Sequence, residues 1–361
     1  MPLQTISADL LRKRFAAFLP NAEFLGAEEC HGGHINRTFF VDAAVYGQKR
    51  RFVLQSVNKN VFKNYAGVME NVFRISAHLG QKSLDVGSDD PTRDHIHFIR
   101  TADGGMGVDG TVGFWRLYRY IGGAEGRLRA SSPEEARAAA AAFGRFQWLL
   151  ADLPTPRLWE TISSFHDTRQ RFANLEKAAG DDPAGRLAAI RCDVEAFLEL
   201  RPEALKLQEA FERGEIPERI AHNDAKYSNV LMDVSSGRAV CVIDLDTCMP
   251  GLSLHDFGDL MRSMSCDRPE DEPDVSTISV RRDMYDALVE GFLSQAGNFL
   301  VPAERKLLPN AGVAITLETG SRFLADYLDG DHYFHTDYPE HNLVRARSQL
   351  ALARSMLEKL A

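Results

Sequence analysis

The segment "HNDAKYSNVLMDVSSGRAVCVIDLD", His222 to Asp246, limits what this chain can fold into more than any other. Two β-rich runs, "NVLMD" and "RAVCVID", flank Ser-Ser-Gly, which reads as a tight hairpin. A turn centred on Ser236-Gly237 sets Asn229 opposite Asp244 at the open end. An amide oxygen and a carboxylate facing each other can share a hard cation. Asp246 points the same way as Asp244, because strand side chains alternate with a period of two. Asn229, Asp244 and Asp246 are therefore the expected metal ligands.

Just before the hairpin, Asp224 is followed five residues later by Asn229. That is the spacing of a phosphoryl-transfer catalytic loop. The reaction needs an oriented acceptor hydroxyl, an acceptor for its proton, and magnesium bridging the phosphate oxygens. Asp224 is the expected catalytic carboxylate, Mg2+ the expected cofactor and ATP the co-substrate. Alone, an HxDxxxxN pattern is weak, since aspartates near turns are usually caps; the hairpin and "IDLD" give it force. Downstream lies an Asp-Phe-Gly, Asp256 to Gly258. In protein kinases such an aspartate holds the metal. Here it follows Pro250 and Gly251, with no short hairpin to bring it to Asn229. Its expected role is to accept backbone hydrogen bonds that brace the catalytic loop.

Upstream, "NRTFFVDAAV", "RRFVLQSV", "HIHFIR" and "FWRLYRYI" read as strands, with a helical pattern over 62–79. From Ser131 the character changes to a capped helix, with further helices near 185–213, 279–297, 303–328 and 343–360. The expected organisation is α+β and bilobal: a small mixed lobe over 1–121 and a large, mainly helical lobe over 122–361. A net charge of −9 argues against a broad basic surface for nucleic acid. The five cysteines form no CxxC pair, and no apolar run approaches the ~20 residues of a membrane span. The N-terminal residues lack a continuous signal-peptide core. The expectation is a cytoplasmic protein with small-molecule ligands, no membrane or nucleic acid, and no evident protein partner.

"HNDAKYSN" followed by "VIDLDT" resembles the aminoglycoside phosphotransferase and choline kinase superfamily. "GGHINRTFFV", "SSFHDTRQRF", "RFLADYLDGDHYF" and "YPEHNLVRARSQ" are most similar to the bacterial N-acetylhexosamine 1-kinases. The resemblance implies a protein-kinase-like fold of the aminoglycoside phosphotransferase type, with ATP between the lobes. It also implies phosphorylation of the anomeric O1 of N-acetylglucosamine or N-acetylgalactosamine. By it, Asp224 is catalytic, Asn229 and Asp244 bind metal, and His34, Arg322 and Tyr333 contact the sugar. The types suit a neutral sugar: Arg offers a planar donor fork, Tyr a hydroxyl and an apolar face, His either role. Nucleotide contacts are expected at Gly32 and Gly33 of a thin glycine loop and at Gln55, which stands where protein kinases place a lysine. The adenine hinge is expected near Tyr118, Tyr120 and Ile121.

Two other readings remain. A kinase of the same fold could act on an amino alcohol, an aminoglycoside or another sugar. A cationic acceptor needs an acidic or aromatic pocket, and Asp326, Asp329, Asp331 and Asp337 supply acidic residues. A catalytically dead nucleotide-binding scaffold is opposed by the intact Asp224, Asn229 and Asp244. "FHDT", 165–168, is unassigned, with a substrate-side or a helix-capping role open to it. His332, His335 and His341 lack the cysteines or regular spacing of a zinc site.

Overall fold

The computed structural model describes residues 6–30, 35–155 and 158–360. The chain forms two compact units. The first takes Met1–Ala124 together with Pro156–Ile162 and Val240–Cys248; the second takes Glu125–Thr155, Ser163–Ala239 and Met249–Ala361. A single cut after residue 121 therefore omits two later segments of the first unit, one of which carries Asp244 and Asp246.

In the first unit, α1 (Ala8–Ala16) starts at Ser7, whose hydroxyl accepts the Leu10 N–H at 3.3 Å. β1 (Glu23–Cys30), β2 (Arg37–Val45) and β3 (Gln48–Val57) follow, then α2 (Tyr65–Asp85), β4 (Phe98–Ile99) and β5 (Phe114–Arg119). The sheet order is β1-β2-β3-β5-β4. Tyr46 and Gly47 join β2 to β3, both with positive φ (49° and 77°), the backbone a two-residue hairpin turn requires. One face of the sheet buries Phe39, Val41, Phe52, Leu54, Trp115 and Leu117 against Leu11, Phe15 and Phe18 of the N-terminal helical segment. The alternation then sets a polar row on the opposite face: Thr38 pairs with Gln55, and Gln55 with Arg116. Asn71 of α2 is fully buried. Its amide donates to the carbonyls of Trp159 (2.7 Å) and Cys248 (3.1 Å) and accepts the Trp159 N–H (2.8 Å). One side chain thus fastens both later segments.

β6 (Ala124–Gly126) leads into the second unit. There α3 (Pro133–Leu150), α4 (Thr168–Asp181), α5 (Leu187–Glu199) and α6 (Arg201–Glu212) precede β7 (Arg219–Ala221) and β8 (Val230–Asp233). β9 (Ala239–Val242) returns to the first unit, and β10 (Met249–Gly251) enters the second again. The remainder is helical: α7 (Ser253–Met264), α8 (Arg282–Ala296), α9 (Pro302–Lys306), α10 (Leu308–Asp329) and α11 (His341–Leu360). α10 packs against α11, α7, α4 and α6. β7 and β10 form an antiparallel ribbon, Ala221 against Met249, from which the loop carrying Asp224 departs. No described helix is long and apolar enough to cross a membrane.

The structure departs from the pattern reading at several elements. The stretch 185–213 is two helices broken at Leu200, and 303–328 is two broken at Leu307. β1, α4 and α7 were not anticipated.

Candidate active site

The loop from His222 to Asn229 lies wholly in the second unit. Asp256, at the start of α7, braces it as expected: its carboxylate accepts the N–H groups of His222 (2.9 Å) and Asn223 (2.7 Å) and the Gln147 amide (2.5 Å). Burial pushes the Asp256 carboxyl up, against the opposing pull of His222 and these donors. The literal Asp-Phe-Gly is thus a structural brace. His222 is fully buried, edge-on to Phe143 and Phe146. Asn223 has a φ of 63°, a left-handed conformation costing about 1 kcal/mol or more. A Cβ on Gly251 would stand 2.8 Å from the Asn223 Oδ1, so the ribbon approaches this closely only with glycine there.

Asp224 and Asn229, paired by spacing in the sequence, are brought together. The Asn229 Nδ2 donates to the Asp224 carbonyl (2.8 Å) and carboxylate (3.0 Å). The Lys226 ammonium lies 2.9 Å from the same carboxylate. Burial alone would raise the Asp224 pKa; Lys226, His222 and the Asn229 amide outweigh it and hold the carboxyl below its ordinary value. Asp224 therefore stands ready as an anion.

The hairpin corrects one expectation. Its turn closes between Asp233 and Arg238, whose N–H and carbonyl bond at 2.8 Å, with Gly237 left-handed at φ 67°. The centre is Ser235-Ser236 rather than Ser236-Gly237. Asp244 lies beyond the end of β9, exposed, with φ 62°, capping a short 3₁₀ turn over Leu245–Thr247. Asp246 is buried within the first unit, forming an ion pair with Arg116 and accepting the Asn36 Nδ2 at 2.7 Å. A metal at Asp246 would have to displace a buried guanidinium. Gln55 has no lysine-like reach: its Nε2 donates to Thr38 (3.0 Å) and its Oε1 accepts two N–H groups of Arg116 (2.9 and 2.5 Å). Tyr118 packs edge-on against Phe98, and burial together with Asp244 and Asp246 pushes its phenol up, against the pull of Arg116. Tyr120 packs edge-on against Phe40, and Ile121 is buried. Gly32, Gly33 and His34 lie outside the described residues.

Arg322 and Tyr333 also come together in the second unit. The Arg322 guanidinium lies 5.4 Å from the Phe165 ring centroid, 5.9 Å from Tyr333 and 5.5 Å from Phe334. Among the described residues no carboxylate pairs with it. Tyr333 is 67% exposed. Its loop is set by Asp326, whose carboxylate accepts the N–H groups of His332, Tyr333 and Phe334 at 2.8–3.0 Å. "FHDT" supplies Asp167 as the cap of α4 and His166 as a link between Glu318 (2.8 Å) and the Asn223 carbonyl (3.2 Å).

Sequence reasoning missed Arg116, Lys226, His166 and Glu318. Glu318 and Arg116 carried a signal: each is a lone charge in an apolar run, "GVAITLETG" and "FWRLY". A charge in such a run must be paired once buried.

The profile of a phosphotransferase enzyme family matches residues 26–288. Among solved structures, a spectinomycin phosphotransferase in complex with ADP and spectinomycin superposes with a TM-score of 0.61 at 12% identity, covering 98% of this chain and 100% of that one. A microcompartment-associated aminopropanol kinase gives 0.58 at 18% identity, covering 94% and 93%. A choline/ethanolamine kinase family protein from Mesorhizobium loti gives 0.57 at 17%, covering 97% and 95%. At these identities the structures speak for the fold alone: α+β and protein-kinase-like, of the aminoglycoside phosphotransferase type.

Proposed function

Because the chain belongs to the phosphotransferase enzyme family, we propose that it transfers the γ-phosphoryl group of ATP to the anomeric O1 of an N-acetylhexosamine, giving the sugar 1-phosphate. The observation that carries the choice of acceptor is Arg322. A partly buried guanidinium that faces three aromatic rings and has no carboxylate partner among the described residues repels an ammonium group and offers a donor fork to neutral hydroxyl and acetamide oxygens. It lies one helical turn from Glu318, which reaches the catalytic loop through His166. An amino alcohol or aminoglycoside acceptor would meet the wrong charge there, despite the acidic residues nearby. Asp326 is occupied by backbone donors, and Asp331 by Arg186 and Asn342.

In this reading Asp224 orients the acceptor hydroxyl and takes its proton late. An anomeric hydroxyl is more acidic than an ordinary alcohol, so a carboxylate of depressed pKa is an adequate acceptor. Asn229 and Asp244 are the proposed magnesium ligands. Each is chemically suited to a hard cation: the Asn229 Nδ2 is engaged with Asp224, which leaves its Oδ1 to ligate, and Asp244 is an exposed carboxylate. Bound Mg2+ would neutralise charge on the phosphate oxygens. Asp246 is a brace in this scheme. The end of β5 with Tyr120 and Ile121 is the proposed adenine side. The spectinomycin phosphotransferase of similar fold is a complex with ADP, which supports a nucleotide co-substrate.

The test is phosphorus NMR of the product formed from N-acetylglucosamine or N-acetylgalactosamine with Mg-ATP. A 1-phosphate is expected. Arg322→Ala should lower kcat/KM for the sugar roughly ten- to hundredfold, the value of one hydrogen bond from a charged donor, with little change in the KM of ATP. A 6-phosphate, or brisk turnover of choline with neither hexosamine used, would overturn the acceptor.

A further inference from the structure

His166 faces two acceptors. Its Nδ1 lies 2.8 Å from the Glu318 carboxylate and its Nε2 lies 3.2 Å from the Asn223 carbonyl. A neutral imidazole has one N–H and would present a lone pair to one of these oxygens. Only the imidazolium donates to both. Thr168 donates to the other Glu318 oxygen at 2.6 Å, so the carboxylate is held on both sides. The side chains of His166 and Glu318 are only 9% and 1% exposed.

The charged groups around the ring are few. From α10 come Glu318 and, one turn on, Arg322, which opposes the ring's charge. From α4, Arg171 lies in the field of Glu318 and Arg322 and binds the carbonyls of Ser164 and Phe165. From α7, His255 packs against His166, with ring centroids 4.5 Å apart and planes tilted by 40°. The His255 Nδ1 accepts the Leu252 N–H, and burial, with the charge of His166, pushes its pKa down to about 3, so it is a neutral neighbour. Burial also disfavours the charged form of His166, but Glu318 and the Asn223 carbonyl outweigh it and raise its pKa.

The carbonyl that His166 grips belongs to the peptide between Asn223 and Asp224. The Asn223 N–H is fixed by Asp256, and the Asp224 N–H points to the His222 Nδ1 at 3.3 Å. The rotation of that one peptide, starting from a left-handed residue, sets where the Asp224 carboxylate points. We propose that His166, held as an imidazolium by Glu318, is a positioning residue that fixes the Asn223–Asp224 peptide and so aims the catalytic carboxylate. The inference rests on the phosphotransferase reading but not on the identity of the acceptor.

Two measurements test it. Nitrogen NMR of the ring in the wild-type protein needs no turnover and no variant. Both His166 nitrogens should be protonated at pH 7, while His255 is neutral; a neutral His166 tautomer at pH 7 overturns the proposal. The second is the pH profile of kcat for Mg-ATP consumption, with N-acetylglucosamine and without any acceptor. In the wild type, kcat should fall as the pH rises through the raised pKa of His166. His166→Gln can donate to one of the two oxygens only. It should lower kcat roughly ten- to hundredfold, as for a small misplacement of a reacting group. KM for Mg-ATP should stay within about twofold and the alkaline fall should vanish. A variant with wild-type kcat, or one that is slower but keeps the same alkaline limb, overturns the proposal. Failure of N-acetylglucosamine alone as a substrate would strike the acceptor reading, while the ring charge and the acceptor-free profile would still decide this one.

Discussion

One residue, Leu245, separates Asp244 from Asp246, and their surroundings differ completely. Asp244 is exposed at a left-handed position, while Asp246 is buried against Arg116, itself 2% exposed. Removing one partner of a buried ion pair strands the other charge in a poor solvent. Asp246→Ala should therefore destabilise the first unit by about 3–5 kcal/mol. The double variant Arg116→Met, Asp246→Leu should recover much of that loss, since it removes both charges together. Hydrogen exchange in β3 and β5 compares the single and double variants without blending the two units. A single Asp246→Ala variant that keeps wild-type protection there would rule out the pair as a structural brace. The contrast also bears on the metal: period-two alternation grouped the two aspartates, but a 3₁₀ turn begins after Asp244, so alternation does not apply.

At the scale of elements, local chemistry was readable where one face differed from the other. Ser132 caps α3 through the Glu135 N–H, and Gly47 supplies the positive φ that turns β2 into β3, both as the residue types favour. β1 escaped because it is an edge strand, largely exposed, with a register irregularity between Phe24 and Gly26 that interrupts the alternation. α7 was passed over although Leu254, Phe257, Leu260, Met261 and Met264 keep a helical period. Its residues from Ser253 to Met261 are all buried, the polar ones included, so its charges mark internal braces such as Asp256 rather than a solvent face. The contact of Asp224 with Asn229 was legible because the two are near in sequence, whereas His166 and Glu318 are 152 positions apart and meet only through the fold. The loop after α10 makes a further test at this scale. Asp326 holds three successive N–H groups of residues 332–334 and the Asn342 amide. Asp326→Ala leaves those donors unsatisfied and releases Tyr333. We expect a sugar KM at least about tenfold higher, with the ATP KM little changed, beside a stability loss of roughly 2 kcal/mol. Equal changes in both KM values would show that the loop serves the whole unit rather than the acceptor.

For the whole molecule, the buried His166–Glu318 pair ties pH to the stability of the second unit. Burial alone would raise the Glu318 pKa, but the His166 charge and the hydrogen bonds from His166 and Thr168 bring it from 4.5 down to about 2. A carboxyl with a depressed folded pKa contributes stability above its unfolded value. That contribution is lost as pH falls through the window from about 4.5 to about 2, and is on the order of 3 kcal/mol. His166 has a raised pKa, so its contribution is complete below the unfolded value of 6.5 and disappears as pH rises through the higher folded value. The pair therefore stabilises most between these two limbs. Since the chain has two units, one melting temperature would blend their responses. Hydrogen exchange resolved by segment separates them: protection in α4 and α10 should fall below pH 4.5, and this acid limb should flatten in Glu318→Gln. Protection lost over that same window in β2 and β3 of the first unit, and not in α10, would mean that other carboxylates govern the acid response.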